Sequence, residues 1–481
     1  MKIPFPRSAD RTYSIVLALG AALYAVTALT NQGIVAIDDY AFMTRRFLPA
    51  QGHTVAGIVA AEGFRSPVPL VVHYALARLA LVLGLAHPLD QLRFNLLTLG
   101  LLGFGVMAAA GHTLFAGYEE AQRRRHRTVF ALLLGFYFVA PVAFTRPMIE
   151  SLAAPWVLAS AAAAAVYFRE GRRGWLVASV VAMAIAAMMR PQAGVVFLAL
   201  PAVIALRRRW WDLVPLAATA AACFAATGLV DLALTGGFHR SLGAYFRFNL
   251  ANSSSFGVQP WYLFVLLLLG LSLPPVFLAR YRGLDWRGRY LPLLPAVLMF
   301  GVFLLAHSVV PHKEERFVIP VLPLFFVLLT PLAVHLLDAT GERWRVALFA
   351  VANGVALVLL VSSPIQRTVL GVAGWLDHHP EIRTVLLAQN EVLMPWAYIA
   401  HPVARRVGLT ESEVAGEGPA DCSKVVVSLA ASEVTGRVAA SGRYRPVARF
   451  SPGPLEAVVV WLNPRHNARR GPIVVFAPAA C

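Results

Sequence analysis

Pro311-His312-Lys313-Glu314-Glu315-Arg316-Phe317-Val318-Ile319-Pro320-Val321-Leu322-Pro323 sets five ionisable side chains between two apolar runs, each long enough to cross a bilayer. Charged groups cost several kcal/mol in hydrocarbon. A dense patch of both signs at the mouth of two helices therefore pairs internally and faces a polar cavity or a substrate path. The stretch marks a membrane protein and is its first candidate for chemistry.

Composition agrees. The 481 residues are 58% hydrophobic and 14% charged, with a mean hydropathy of +0.65, more apolar surface than a soluble core can hide. Lysine and arginine number 42 against 25 acidic residues, a net charge of +17. In a soluble chain that excess would suggest nucleic acid. Here the arginines stand in short clusters between apolar segments: Arg123-Arg124-Arg125, Arg207-Arg208-Arg209, and Arg280 with Arg282, Arg287 and Arg289. The positive-inside rule accounts for them, and no nucleic-acid partner is expected.

Hydropathy reads as eleven spans, at about 12–33, 92–116, 128–145, 149–168, 174–189, 191–206, 213–234, 261–280, 291–310, 317–338 and 344–362. The first follows Lys2, Arg7 and Arg11 and is read as an uncleaved anchor. The segment Val68 to Ala86 is apolar enough to span, but counting it would put three arginine clusters outside. It holds His73 and Arg78 and begins Arg65-Ser66-Pro67-Val68-Pro69, so it is assigned to the outer interface as a juxtamembrane helix. The amino terminus is then inside and the carboxyl terminus outside, with the loop 34–91, the loop from Thr235 to Pro260 and the His312 cluster sharing the outer face. Residues 1–362 form the transmembrane module in this reading.

Residues 363–481 differ in composition and are expected to form a small extracytoplasmic α/β domain. The runs Lys424 to Val427, Ala457 to Trp461 and Ile473 to Phe476 are short, β-branched and bounded by Gly, Pro or Ser, as strands are. Of three cysteines, Cys223 lies in an apolar helix and is read as packing. Cys422 and Cys481 both follow the last span, and either a disulfide or two free thiols fits the sequence. No CxxC pair, zinc helix, Gly-rich phosphate loop or Ser-His-Asp arrangement is present.

Asp38-Asp39 follows the first span directly. Adjacent carboxylates raise each other's proton affinity, and one held at a membrane surface suits removal of a hydroxyl proton. An isolated Asp-Asp is more often a helix cap or a solvated turn. Lys313, Arg316 and His312 supply cations able to hold a phosphate, Arg316 in a bidentate fork, while Glu314 and Glu315 offset the charge. A snorkelling interfacial belt is the plainer reading of that cluster, but glutamates snorkel poorly. Arg65, Arg146 and Arg190 are further outer-face cations, each alone more often structural. Asn249, Trp261 and Tyr262 are candidates for sugar or acceptor contact, or an aromatic belt.

Taken in order, these residues resemble the family 22 glycosyltransferases of the GT-C superfold, the lumenal mannosyltransferases of N-glycan and GPI-anchor assembly. His312-Lys313-Glu314-Glu315-Arg316-Phe317, followed by Pro320 and Pro323, looks like the family's His-Lys-Glu-Glu-Arg-Phe signature. Arg65-Ser66 with Pro69 resembles its Arg-Ser element, and Thr145-Arg146 with Ser151 its Thr-Arg-Thr-Leu-Ser-Asn-Ser segment. Asp231, Phe248-Asn249, Phe256-Gly257 and Pro260-Trp261 are similar to its Phe-Asn, Tyr-Gly and Pro-Trp series. Asp38-Asp39 stands where the family carries His-Pro-Asp-Glu, with Ala36-Ile37 in place of His-Pro; the usual Thr-Trp-Glu is missing after Gly52-His53-Thr54.

The resemblance implies a GT-C-like helical membrane fold and an inverting transfer of mannose from a polyprenyl or dolichyl phosphate to an acceptor hydroxyl on the extracytoplasmic face. It implies Asp38 and Asp39 as the catalytic carboxylates. Arg65, His312, Lys313 and Arg316 would face the donor phosphate, with Glu314, Glu315 and Arg146 in support and Glu315 orienting Arg316. The partners expected are a lipid-phosphate-linked sugar, membrane lipids, and a glycan, glycolipid or protein acceptor. No metal is required by this chemistry, because fixed cations can hold the leaving phosphate. A GT-C transferase using another lipid-linked sugar, or a non-catalytic protein of polysaccharide assembly, are the alternatives. A secondary transporter would place its site near the midplane in broken, repeated helices, and no internal repeat is seen.

Overall fold

The computed structural model describes residues 11–36, 38–48, 54–61, 65–272, 279, 281, 283–388, 394–410, 413, 420–467 and 470–481. Lys2, Arg7, His53, Arg280 and Arg282 lie outside the described residues. The helices that matter below are α1 (Arg11–Thr30), α2 (Val68–Val82), α3 (Pro88–Leu114), α4 (Glu120–Phe136), α5 (Ile149–Glu170), α6 (Arg173–Met189), α7 (Leu213–Thr235), α8 (Arg240–Ala251), α9 (Leu263–Leu271), α10 (Leu294–Val309), α11 (Leu322–Asp338), α12 (Arg343–Ser362), α13 (Arg367–Asp377), α14 (Glu433–Ala440) and α15 (Pro454–Leu462).

Among the described residues, seven helical stretches are long and apolar enough to cross a membrane: Arg11–Thr30, Pro88–Gly117, Ile149–Glu170, Trp210–Thr235, Trp286–Val309, Glu315–Asp338 and Arg343–Asp377. The other expected crossings are shorter or interrupted. α4 stops at Phe136 and a separate short helix, Ala140–Phe144, begins at a proline-containing turn. The expected span at 191–206 starts as a 3-10 turn, Pro191–Leu198, before the helix Ala199–Leu206.

By packing, the chain forms two compact units. The first comprises Met1–Ala28, Val55–Val72 and Leu96–Val358, the second Leu29–Thr54, His73–Asn95 and Leu359–Cys481.

In the first unit, small residues let helices approach closely, as membrane helices require in the absence of a hydrophobic drive between them. A Cβ placed on Gly20 of α1 would stand 3.0 Å from the Cα of Gly135 in α4, and beside this contact the Tyr24 hydroxyl donates to the Leu134 carbonyl at 2.9 Å. α5 is alanine-rich and almost wholly buried. It packs antiparallel to α6, where the Ser160 and Ser179 hydroxyls each donate to the other's carbonyl at 2.9 Å. That hairpin brings the first turn of α5 and the last turn of α6 to one end, and the site is built there.

The second unit carries a five-stranded mixed sheet in the order β2-β1-β3-β5-β4. The strands are Thr384–Leu387 (β1), Ala404–Val407 (β2), Lys424–Leu429 (β3), Tyr444–Phe450 (β4) and Ile473–Pro478 (β5). β1 runs parallel to β2 and β3, whereas β5 is antiparallel to β3 and β4. The two-residue period of β3 sends Val425 and Val427 to one face, against α13, and Val426 to the other, with Val438 of α14. Cys422 and Cys481 are joined in a disulfide, with Cα atoms 5.6 Å apart.

One expected strand is a helix. Ala457 to Trp461 lies within α15, which begins at Pro454, a residue suited to the first helical turn. Val458, Trp461 and Leu462 are exposed while Glu456 is buried. The Glu456 carboxylate accepts the backbone N–H groups of Gln366 at 2.7 Å and Arg367 at 3.2 Å, satisfying the start of α13.

Candidate active site

In the first unit the site grows from three backbone features. Glu150 sits in the first turn of α5, where the helix dipole favours an acid. Arg190 ends α6 in an extended conformation, φ −143°, because Pro191 follows and disfavours a helical backbone before it. Arg316 lies in the 3-10 turn Glu315–Val321 that leads into α11.

The side chains converge. Glu150 and Arg190, each 2% exposed, form a buried ion pair. Arg316 Nε lies 3.9 Å from the same Glu150 carboxylate and donates to Glu314 Oε2 at 2.7 Å. The Arg190 guanidinium stands 4.8 Å above the Phe317 ring and that of Arg316 5.7 Å from it, and the His312 ring meets Phe317 edge-on at 5.7 Å. Phe317 thus keeps two cations in a largely apolar setting. Buried Arg146 begins four residues before Glu150, in the turn ahead of α5.

Tyr245 of α8 closes the group. Burial raises the proton affinity of its hydroxyl, Arg190, Arg65 and Arg316 oppose that, and Glu150 adds to it. Three guanidiniums and the Glu150 carboxylate act on this hydroxyl, and with Glu314 paired to Arg316 at 2.7 Å the group still keeps one positive charge in excess, which suits an anion.

The signature's other members do different work from that expected. Glu314, not Glu315, orients Arg316, because Glu314 is extended at the entrance to the 3-10 turn whereas Glu315 points outward and is exposed. Glu314 also meets His312 Nε2 at 2.9 Å, and His312 Nδ1 lies 3.3 Å from the Gly257 carbonyl. Lys313 is buried and directs its ammonium to the Gln259 carbonyl at 3.3 Å and to that of Val310, with its pKa lowered by desolvation. Its charge ties the loop of Gln259 to the His312 loop, which the Gln259 N–H also bonds through the Pro311 carbonyl at 3.0 Å. Of the proposed sugar contacts, Trp261 is 68% and Tyr262 44% exposed, and the Asn249 amide donates to the Tyr245 carbonyl of its own helix at 2.8 Å. None of the three is drawn into the arginine group by these contacts. Glu150, Arg190 and Tyr245 complete it instead.

In the second unit the two adjacent aspartates divide. Asp39 is buried and its Oδ2 accepts the N–H groups of Val35 at 2.8 Å and Ala36 at 3.1 Å, so it holds the turn that follows α1. Asp38 is half-buried at the entrance to a π-helical turn, Asp39–Thr44, and its side chain does not cap that turn. Such turns recur at functional sites. Within that turn the Tyr40 hydroxyl accepts the Ala397 N–H at 3.0 Å, and its ring packs edge-on to Tyr398.

Residues 60–393 match the model of the Alg9-like mannosyltransferase family. A stretch of 117 residues is 32% identical to GPI mannosyltransferase 3 of Saccharomyces cerevisiae, covering 22% of this chain and 19% of the yeast protein. The fold is similar to that of ArnT from Cupriavidus metallidurans. The undecaprenyl phosphate complex gives a TM-score of 0.56 at 15% identity over 97% of this chain and 98% of that one; the apo form gives 0.55 at 14% identity, over 98% of each. At that identity the likeness is one of fold, a GT-C arrangement of membrane helices with a small carboxyl-terminal sheet domain. With the greater part of its length matched by the family model, the chain belongs to the Alg9-like mannosyltransferase family.

Proposed function

We propose that the protein transfers a mannosyl residue from a polyprenyl or dolichyl phosphate to an acceptor hydroxyl at the extracytoplasmic face of its membrane. The observation that carries this reading is the convergence of Arg190 and Arg316 on the buried Glu150 carboxylate, with Glu314 orienting Arg316 and both guanidiniums set against the Phe317 ring. A leaving lipid phosphate is an anion held at the membrane surface, and preorganised guanidiniums in a dry setting stabilise the charge it gains. Family membership supports the sugar. The fold shared with ArnT, solved with undecaprenyl phosphate, supports a lipid phosphate carrier. The Cys422–Cys481 disulfide supports an oxidising compartment for the carboxyl-terminal domain.

In the proposed displacement the acceptor oxygen bonds to the anomeric carbon as that carbon's bond to the phosphate oxygen breaks. The electron pair leaves with the phosphate, which the arginines hold. Asp38 takes the hydroxyl proton, and a single displacement inverts the anomeric carbon. Asp39, whose carboxylate is committed to backbone amides, has a positioning role. The phosphate assignment is tested by binding. Purified protein in nanodiscs should bind polyprenyl phosphate, and Arg316→Ala should weaken that binding by about tenfold or more, the loss of one charge-assisted hydrogen bond. Equal affinity in both proteins would remove Arg316 from the donor site.

A further inference from the structure

A second feature of the first unit is unused by this chemistry. A cavity of about 330 Å³ opens between α6 and α7, walled by Val180 and Met183 on one side and by Ala220, Cys223 and Thr227 on the other. Ala220, Cys223, Thr227 and Asp231, three and four residues apart, share one face of α7 and extend about 16 Å along it. The wall is mostly apolar until the last turns of α7, where Asp231, His239, Ser241 and Ser66 line the cavity.

Asp231 is 6% exposed. Its Oδ2 accepts the Ser241 N–H at 2.8 Å, and its Oδ1 is buried with no hydrogen-bond partner among the described residues. The backbone secures this end. Gly228 leaves room for Phe238 and His239, which a Cβ would meet at 2.4 Å and 2.7 Å; His239 takes a left-handed conformation, φ 51°, at the start of α8. That approach sets the Ser241 N–H against Asp231. A buried carboxylate oxygen left unfilled at the end of an apolar channel is costly unless a ligand supplies a donor.

We propose that this cavity binds an amphiphile whose head group donates hydrogen bonds, an ammonium or a hydroxyl, with its hydrocarbon chain along α6 and α7. The carboxylate disfavours an anionic head, so the ligand is not the lipid phosphate.

The test is photolabelling of the purified full-length protein with dodecyl chains carrying a diazirine, headed by ammonium, hydroxyl or phosphate, with no sugar donor present. The ammonium and hydroxyl probes should label α6 and α7 at least about tenfold more strongly than the phosphate probe, as a hydrogen bond to a charged group requires. Asp231→Asn should shrink that preference to about twofold or less, since the amide accepts and donates without charge. Ala220→Trp should abolish labelling of these helices by all three. Equal labelling of the wild-type protein by all heads, or labelling that Ala220→Trp leaves intact, would overturn the proposal even if a variant proved unstable. Labelling needs no turnover, so selective labelling by a protein without transfer activity would sink the transfer reading and leave the binding site standing.

Discussion

Glu150 decides how the arginine group holds together, because one buried carboxylate serves Arg190 directly and Arg316 at 3.9 Å. Replacing it by glutamine leaves a buried guanidinium without its counter-charge. The expected cost is about 3–5 kcal/mol, seen as a lower unfolding temperature of the detergent-solubilised protein. The paired aspartates make a sharper contrast. Asp39→Asn should destabilise by roughly 1.5–3 kcal/mol through its two amide bonds, whereas Asp38→Asn should reduce turnover by roughly 10² to 10⁴. Unfolding curves and transfer rates on the same preparations separate the two. If both variants kept full activity, neither carboxylate would be the base. At this scale the signature made Arg316 and His312 legible, but not the choice between Glu314 and Glu315, which depends on where the 3-10 turn begins. Glu150 had left a trace, an acid one turn after Arg146 at the head of an apolar helix, whose meaning appears only when α6 returns beside α5.

Elements were legible where one physical term dominates. The long apolar helices and strands β3 and β5 follow from hydropathy and β-branched runs. α15 shows the limit, since Val458, Val459 and Val460 carry a strand's composition on a helix set by Pro454 and by the capping work of Glu456. β2 could not be read because all four of its residues are exposed and it carries no buried alternation. Close helix contacts were also hidden, as a glycine in an apolar run does not announce its neighbour. The Gly20–Gly135 approach makes a test of α1 against α4. Gly135→Val places a Cβ 3.0 Å from the Gly20 Cα, and should destabilise by about 1–3 kcal/mol. An unfolding temperature equal to wild type would mean that these helices do not pack at Gly135.

For the molecule as a whole, the disulfide and the transfer reaction carry the two broadest consequences. Cys422–Cys481 closes a loop with a sequence separation of 59, so Cys422→Ser should cost about 4 kcal/mol by the chain-entropy relation. Non-reducing peptide mapping should recover the two cysteines as one linked pair; two freely alkylated thiols would contradict it. Family signatures made the membrane module readable, while the order of strands in the sheet arises from long-range packing that no local pattern encodes. The most direct measurement is transfer itself: wild-type protein in proteoliposomes, given a panel of polyprenyl phosphates charged with different sugars and a membrane extract as acceptor source. Transfer from the mannosyl donor, lost in Asp38→Asn and Arg316→Ala, is the predicted result. Transfer from another sugar donor alone, or mannosyl transfer undiminished in both variants, would contradict the account.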